Sequence, residues 1–190
     1  FFPTAYRIVW SHIENVCTIP EILHPAVRDG LRMMGFTGDG GVEIHHQGDL
    51  PARTGMGSSS AFANGLLLVL SALKGEPLDK RTLYLKSIEL EQEWLKENVG
   101  SQDQVATAVG GFNVIRFRPD GGIAATPVDA PRPHLEALND RLLLVYSGAN
   151  RLSSEVAGEV ISKLRDRASV LRAMHAMVDE GAACLRTADL

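Results

Sequence analysis

Cysteine is nearly missing from this chain: Cys17 and Cys184 are the only two in 190 residues. Two thiols cannot build a disulfide framework or a structural zinc site, so a reducing, cytoplasmic compartment is the expectation. Long apolar runs are missing as well. The longest, Leu66 to Leu70, is far too short to cross a bilayer, and the opening residues lack the basic start and apolar stretch of a secretory signal. There is no excess of basic residues. Nineteen Lys+Arg against 23 Asp+Glu give a formal charge of −4, which disfavours a primary nucleic-acid binder. What remains, 45% hydrophobic and 22% charged residues with no repeat or low-complexity tract, is the composition of a folded globular protein. The chain opens on Phe1 rather than Met and stops at Leu190 just past a helical pattern, so a piece of a longer protein is expected.

Hydrophobic spacing predicts an α+β fold rather than a regular βαβ alternation. Tyr6–Trp10 reads as a strand, His24–Met34 as a helix stopped by Gly35, and Val42–His45 as a strand after a turn at Gly38–Gly41. A Gly/Ser-rich loop, Thr54 to Ser60, leads into an almost wholly apolar helix ending at Leu73 and expected to be buried on most sides. Asp79 is a good N-cap for a helix reaching about Asn98. Ser101 and Gln104 have capping-box spacing for the next helix, which stops at Gly110-Gly111. Phe112–Phe117 and Ile123–Val128 read as a hairpin around Pro119–Gly122, and Leu142–Tyr146 as a short buried strand. From Ser153 onward, Val156, Val160, Leu164, Leu171, Met174 and Val178 give a helical pattern.

The loop Pro51-Ala52-Arg53-Thr54-Gly55-Met56-Gly57-Ser58-Ser59-Ser60 is the most informative segment. Its glycines let backbone N–H groups close around an anion, and the following helix offers free amides and a positive dipole end. The serines add hydroxyls for phosphate or metal, so a polyphosphate such as ATP suits it. A Walker loop would need a lysine, and a nucleophile elbow a glycine two residues after its serine; neither is here. Ser71-Ala72-Leu73-Lys74 matches Ser-x-x-Lys without its companions. The plain alternative for the loop is a flexible turn with a serine cap.

Two carboxylates stand apart from the surface charge. Glu91 falls on the apolar face marked by Ile88 and Leu95, whereas Glu89, Glu93 and Glu97 fall on another face near Lys86 and Lys96. A buried carboxylate needs a partner, and a magnesium ion (Mg2+) is a natural one, the alternative being a backbone group or a buried arginine. Asp103 sits in a first helical turn, where the dipole favours its ionised form. It could accept or orient a hydroxyl near a metal-bound phosphate, or serve helix stability alone.

Pro51-x-x-x-Gly55-Met56-Gly57-Ser58-Ser59 resembles the second motif of the GHMP kinases, which include galactokinase, homoserine, mevalonate and phosphomevalonate kinases. Tyr6–Val16, Gly48–Pro51, Glu97–Gln104 and Gly110–Asn113 extend the likeness, and Asn98-Val99-Gly100-Ser101-Gln102-Asp103-Gln104 points to the D-glycero-D-manno-heptose 7-phosphate kinase branch. The resemblance implies an N-terminal domain over 1–150, related to a β-α-β domain of a small-subunit ribosomal protein and lacking its first strands. Residues 151–190 would be the helical start of a ferredoxin-like C-terminal domain. It further implies that Pro51 and Gly55, Met56, Gly57, Ser58, Ser59 and Ser60 hold the ATP phosphates, and that Ser59 and Glu91 hold Mg2+. Asp103 would contact the acceptor hydroxyl, and Arg151 is expected to meet the sugar's own phosphate. Met56 stands where leucine is commoner, a volume-conserving change. The implied partners are ATP and a sugar phosphate, with neither nucleic acid nor membrane. A GHMP kinase for a galactose- or fucose-like sugar, and a non-catalytic sugar sensor on the same fold, are the competing readings. His12, His45 and His46 could touch substrate or be plain structural histidines.

Overall fold

The structure, a computed structural model, describes residues 5–38, 40–49, 55–145, 158 and 161–189. The chain divides into two compact units, Phe1–Ala108 and Val109–Leu190. The boundary expected between 150 and 151 lies outside the described residues.

In the first unit, strand β1 (Tyr6–Val9) turns back into β2 (Ile13–Val16), pairing antiparallel with Tyr6 opposite Val16. Sequence reading misses β2 because a charge occupies its inward position. Glu14 lies opposite Ile8 and is buried; its carboxylate accepts from Trp10 Nε1 at 2.9 Å and from the amides of Leu23 and His24. Those bonds satisfy the buried charge and fix the entry to helix α1 (Pro25–Met33). His24 caps α1, its Nδ1 accepting from Val27 N at 3.4 Å, and Gly35 closes it with φ +72. Strand β3 (Val42–His45) then pairs parallel with β1, giving the order β2-β1-β3 with α1 as the crossover.

Helices cover one face of this sheet. Tyr6 and Ile8 pack into a core with Val27 and Leu31 of α1, Leu66, Leu67 and Leu70 of helix α2 (Ser58–Leu73), and Leu83 of helix α3 (Lys80–Glu89). The expectation that α2 is buried on most sides is overturned: Leu68, Val69 and Leu73 are 46%, 64% and 62% exposed. A helix lying on one layer covers only a stripe of its circumference, whatever the polarity of the rest. Asp79 does cap α3, with Oδ1 accepting from Thr82 N at 2.8 Å; these hydrogen bonds hold its carboxyl below the usual range.

The helix expected to reach Asn98 stops earlier. After Glu89 it widens into one turn of π-helix over Leu90–Trp94, with Leu95 N donating to Leu90 O at 2.9 Å. Lys96 then takes left-handed backbone at φ +56 and turns the chain away. Helix α4 (Gln102–Val109) follows.

The second unit holds a hairpin of β4 (Asn113–Phe117) and β5 (Ile123–Pro127), as the turn residues predict. Helix α5 (Arg132–Arg141) is unanticipated, and its residue His134 meets Leu185 O of helix α6 (Ala168–Thr187) at 3.1 Å. The buried strand expected at Leu142–Tyr146 does not form over its described residues. Leu142–Val145 are irregular and exposed, because β4 and β5 pair only with each other among the described residues.

Candidate active site

Gly55 and Gly57 both lie in the left-handed region, at φ +75 and +67, where an L side chain costs about 1–2 kcal/mol. Gly57 precedes the first turn of α2, and no side-chain hydrogen bond caps that end among the described residues. The first amides of the helix therefore face outward with the positive end of its dipole, an arrangement suited to an anion. A Cβ placed on Gly57 would lie 3.5 Å from Cγ and 3.6 Å from Oδ2 of Asp103. The Asp103 carboxylate, exposed in the first turn of α4, thus stands directly over the loop.

Behind the loop lies Glu91, 1% exposed. Ser59 Oγ donates to its Oε1 at 2.6 Å and Ser60 Oγ to its Oε2 at 3.0 Å; Gln104 Nε2 also donates to Oε2. These three donors offset the cost of taking the carboxylate out of water. The π turn carries Glu91 into this position, and Glu97 N folds back onto Glu91 O at 3.0 Å. Burial pushes the Glu97 carboxyl above its usual range, and the Glu91 charge pushes the same way. No cluster of three or more His, Cys, Asp or Glu placed for a metal occurs among the described residues. Magnesium requires fewer protein donors, because it keeps water and phosphate oxygens around one or two carboxylates. Ser59 Oγ and Glu91 Oε1 are hard oxygens side by side, and this donor set fits such an ion.

The structure brings Gly55, Met56, Gly57, Ser58, Ser59, Ser60, Glu91 and Asp103 to one end of α2; Pro51 and Arg151 lie outside the described residues. Two participants escaped sequence reading. Gln104 does not form a capping box with Ser101: its Nε2 is on Glu91, and its Oε1 accepts no hydrogen bond among the described residues. Asn64 is the other. Its Nδ2 donates to Gln104 O at 2.9 Å and Thr107 Oγ1 at 2.7 Å, pinning α4 to α2. Their signal was a buried carboxylate in want of donors, together with polar side chains inside otherwise apolar helices. The histidines find other partners: His12 packs on Trp10, His46 on Phe62, and His45 meets Glu43 at 2.6 Å. A cleft lined by Arg28, Asp29, Arg32 and Trp94 shares no residue with this site. Both of its arginines are engaged by Asp29, at 3.1 and 3.3 Å, and Glu93 faces it as well, which leaves a poor phosphate site.

Comparison with known proteins bears on the family and the fold. Residues 22–111 match the GHMP kinases N terminal domain family. A D-glycero-alpha-D-manno-heptose 7-phosphate kinase of Campylobacter jejuni is 28% identical over 134 residues, 70% of this chain and 39% of that protein. An L-fucokinase/L-fucose-1-P guanylyltransferase of Bacteroides fragilis is 28% identical over 128 residues, 65% of this chain and 13% of that protein. The chain therefore spans well under half the length of these relatives. A D-glycero-D-manno-heptose 1-phosphate kinase from Bacteroides thetaiotaomicron shares the fold, with a TM-score of 0.62 at 20% identity over 69% of this chain and 46% of its own. Residues 22–111 are accordingly a GHMP kinase N-terminal domain, and the chain has the α+β fold of the GHMP kinases.

Proposed function

We propose that the protein carrying this chain is an ATP-dependent sugar kinase that acts on D-glycero-D-manno-heptose 7-phosphate. It transfers the γ-phosphoryl group of ATP to the anomeric hydroxyl, giving the 1,7-bisphosphate and ADP, as a step toward nucleotide-activated heptose for surface glycans. The observation that carries this reading is the Asp103 carboxylate over Gly57, beside the Ser59–Glu91 pair at the same helix end. The amides that open α2 would bind the phosphates, and the left-handed glycines keep side chains out of their way. Ser59 and Glu91 would hold Mg2+, which supplies charge neutralisation on the transferring group. Asp103 orients the acceptor hydroxyl and can take its proton as the bond to phosphorus forms. Arg151 is assigned to the 7-phosphate on chemistry alone, since a guanidinium binds phosphate in a bidentate manner.

A cytoplasmic location belongs to the same reading; no helix among the described residues is long and apolar enough to cross a membrane. The deciding experiment is ATP consumption by the full-length protein with Mg2+ across a panel of sugars and sugar phosphates. Turnover confined to the heptose 7-phosphate supports the whole proposal. Turnover on an unphosphorylated hexose keeps the kinase and replaces its substrate, an outcome favoured by the equally identical fucokinase relative. Bound ATP with no turnover on any acceptor overturns the enzyme reading in favour of a sugar sensor.

A further inference from the structure

The two oxygens of Glu91 have different surroundings. Oε2 receives two donors from buried side chains, Ser60 Oγ at 3.0 Å and Gln104 Nε2. Oε1 receives one, the hydroxyl of Ser59, at the exposed rim of the loop. Gln104 is 1% exposed and its Nε2 donates to Glu91, while its Oε1 has no partner among the described residues. The flipped amide would set its oxygen against the Glu91 carboxylate, so the bond to Oε2 fixes the orientation of the amide even though it leaves a buried oxygen unsatisfied. The backbone around it is fixed independently: Asn64 holds Gln104 O, and Thr107 Oγ1, bonded to Asn64, donates to Asp103 O at 2.7 Å.

We infer that Gln104 is a positioning residue that, with Ser60, anchors Oε2 and so leaves Oε1 as the cation-facing oxygen of Glu91. The inference rests on the magnesium role proposed above for Ser59 and Glu91. It adds that the carboxylate binds through one oxygen and that its aim is set from α4. Because Gln104 follows Asp103 in the chain, the residue that aims the metal ligand is joined by one peptide bond to the residue placed over the acceptor. Outer partners that orient a metal-ligating carboxylate commonly govern metal affinity by about 10–100-fold. Met at position 104 would keep the volume and remove the donor.

The test measures Mn2+ affinity of the full-length protein by electron paramagnetic resonance in the presence of a non-hydrolysable ATP analogue. Affinity for the same analogue without metal, and the thermal midpoint without metal, are measured alongside. Gln104→Met is expected to weaken Mn2+ binding about tenfold or more while metal-free nucleotide affinity stays within twofold. Glu91→Gln is expected to weaken Mn2+ further. Loss in Glu91→Gln with wild-type Mn2+ affinity in Gln104→Met overturns the inference and leaves the metal site standing. Unchanged Mn2+ affinity in Glu91→Gln overturns the metal site itself, and the inference with it. Equal weakening of metal-free nucleotide binding in Gln104→Met would show general disruption of the loop and also overturn it. Should Gln104→Met fail to fold, Gln104→Asn carries the same test, since it keeps an amide one methylene short of Oε2.

Discussion

The two units read alike in sequence and differ in what they bury. In the first, Leu31, Leu67 and Leu90 are wholly enclosed, and polar residues as costly to bury as Glu14, Glu91 and Gln104 are enclosed with them. In the second, Leu185 is the one buried residue among those described, while Met174, Met177 and Val178 of α6 are 57%, 63% and 48% exposed. Periodicity marks the face a helix offers; it does not say what covers that face. Groups that must hold a geometry to within a fraction of an ångström belong on the enclosed unit, where packing fixes the rotamers of their supports. Ser59, Glu91 and Asp103, to which the proposed function assigns such roles, are all there.

That contrast can be pressed at several points. Asp103→Asn in the full-length protein should lower turnover by about 10²–10⁴-fold, the range for a lost general base, with nucleotide affinity near that of the parent. Unchanged turnover would remove Asp103 from the chemistry. In urea unfolding, Leu67→Ala should cost about 2–5 kcal/mol as an enclosed side chain is cut away. Met174→Ala should stay within about 0.5 kcal/mol, as exposed positions do; equal losses would erase the difference between the units. Gly57→Ala and Gly121→Ala both force a side chain into left-handed backbone, at φ +67 and +82, for about 1–2 kcal/mol each. Only the first should also weaken nucleotide binding, which isothermal titration would show.

The smallest effect is a pH dependence. Burial holds the His24 imidazole below its usual range, against a weaker upward pull from Glu14, and its Nδ1 accepts a hydrogen bond that protonation would forfeit. The unfolded chain therefore binds this proton more readily than the native one. Stability associated with neutral His24 is present above the unfolded value of 6.5 and is lost as pH falls through and below it. The thermal midpoint should drop more between pH 7.5 and 5.5 in the parent than in His24→Asn. An identical drop in the two would assign the effect to other groups.

Most of the helices and the pairing hairpin were legible because their signals are local: Asp79 before a helix, Gly35 after one, and the Pro119–Gly122 turn between two apolar runs. The Gly55–Ser60 loop was legible as a candidate anion site because glycines announce a backbone left bare. Glu91 was legible as a charge on an apolar face. Strand β2 was not, because Glu14 breaks the alternation and its donors come from Trp10, Leu23 and His24, which no periodicity connects. Gln104 was misread for a related reason. Its spacing from Ser101 suits a local capping box, but the partner it finds is Glu91, in another element. Local patterns reveal what a segment can do alone, and both failures turn on a buried carboxylate whose donors lie outside its own element.

The π turn at Leu90–Trp94 has a consequence for how this protein can vary. A π turn is an α-helix carrying one residue more than its ladder needs. Removing any single residue from it would restore regular α-helix and keep the core contacts of α3, so the chain could still fold. Because the wide turn takes up the extra residue locally, the segments on either side would stay close to their present phase. The change would fall inside the turn itself, where Glu91 sits, so the Glu91 carboxylate would lose its register with Ser59, Ser60 and Gln104. The spare residue is therefore a local device: it can be lost with the core intact, and what goes with it is the aim of one carboxylate.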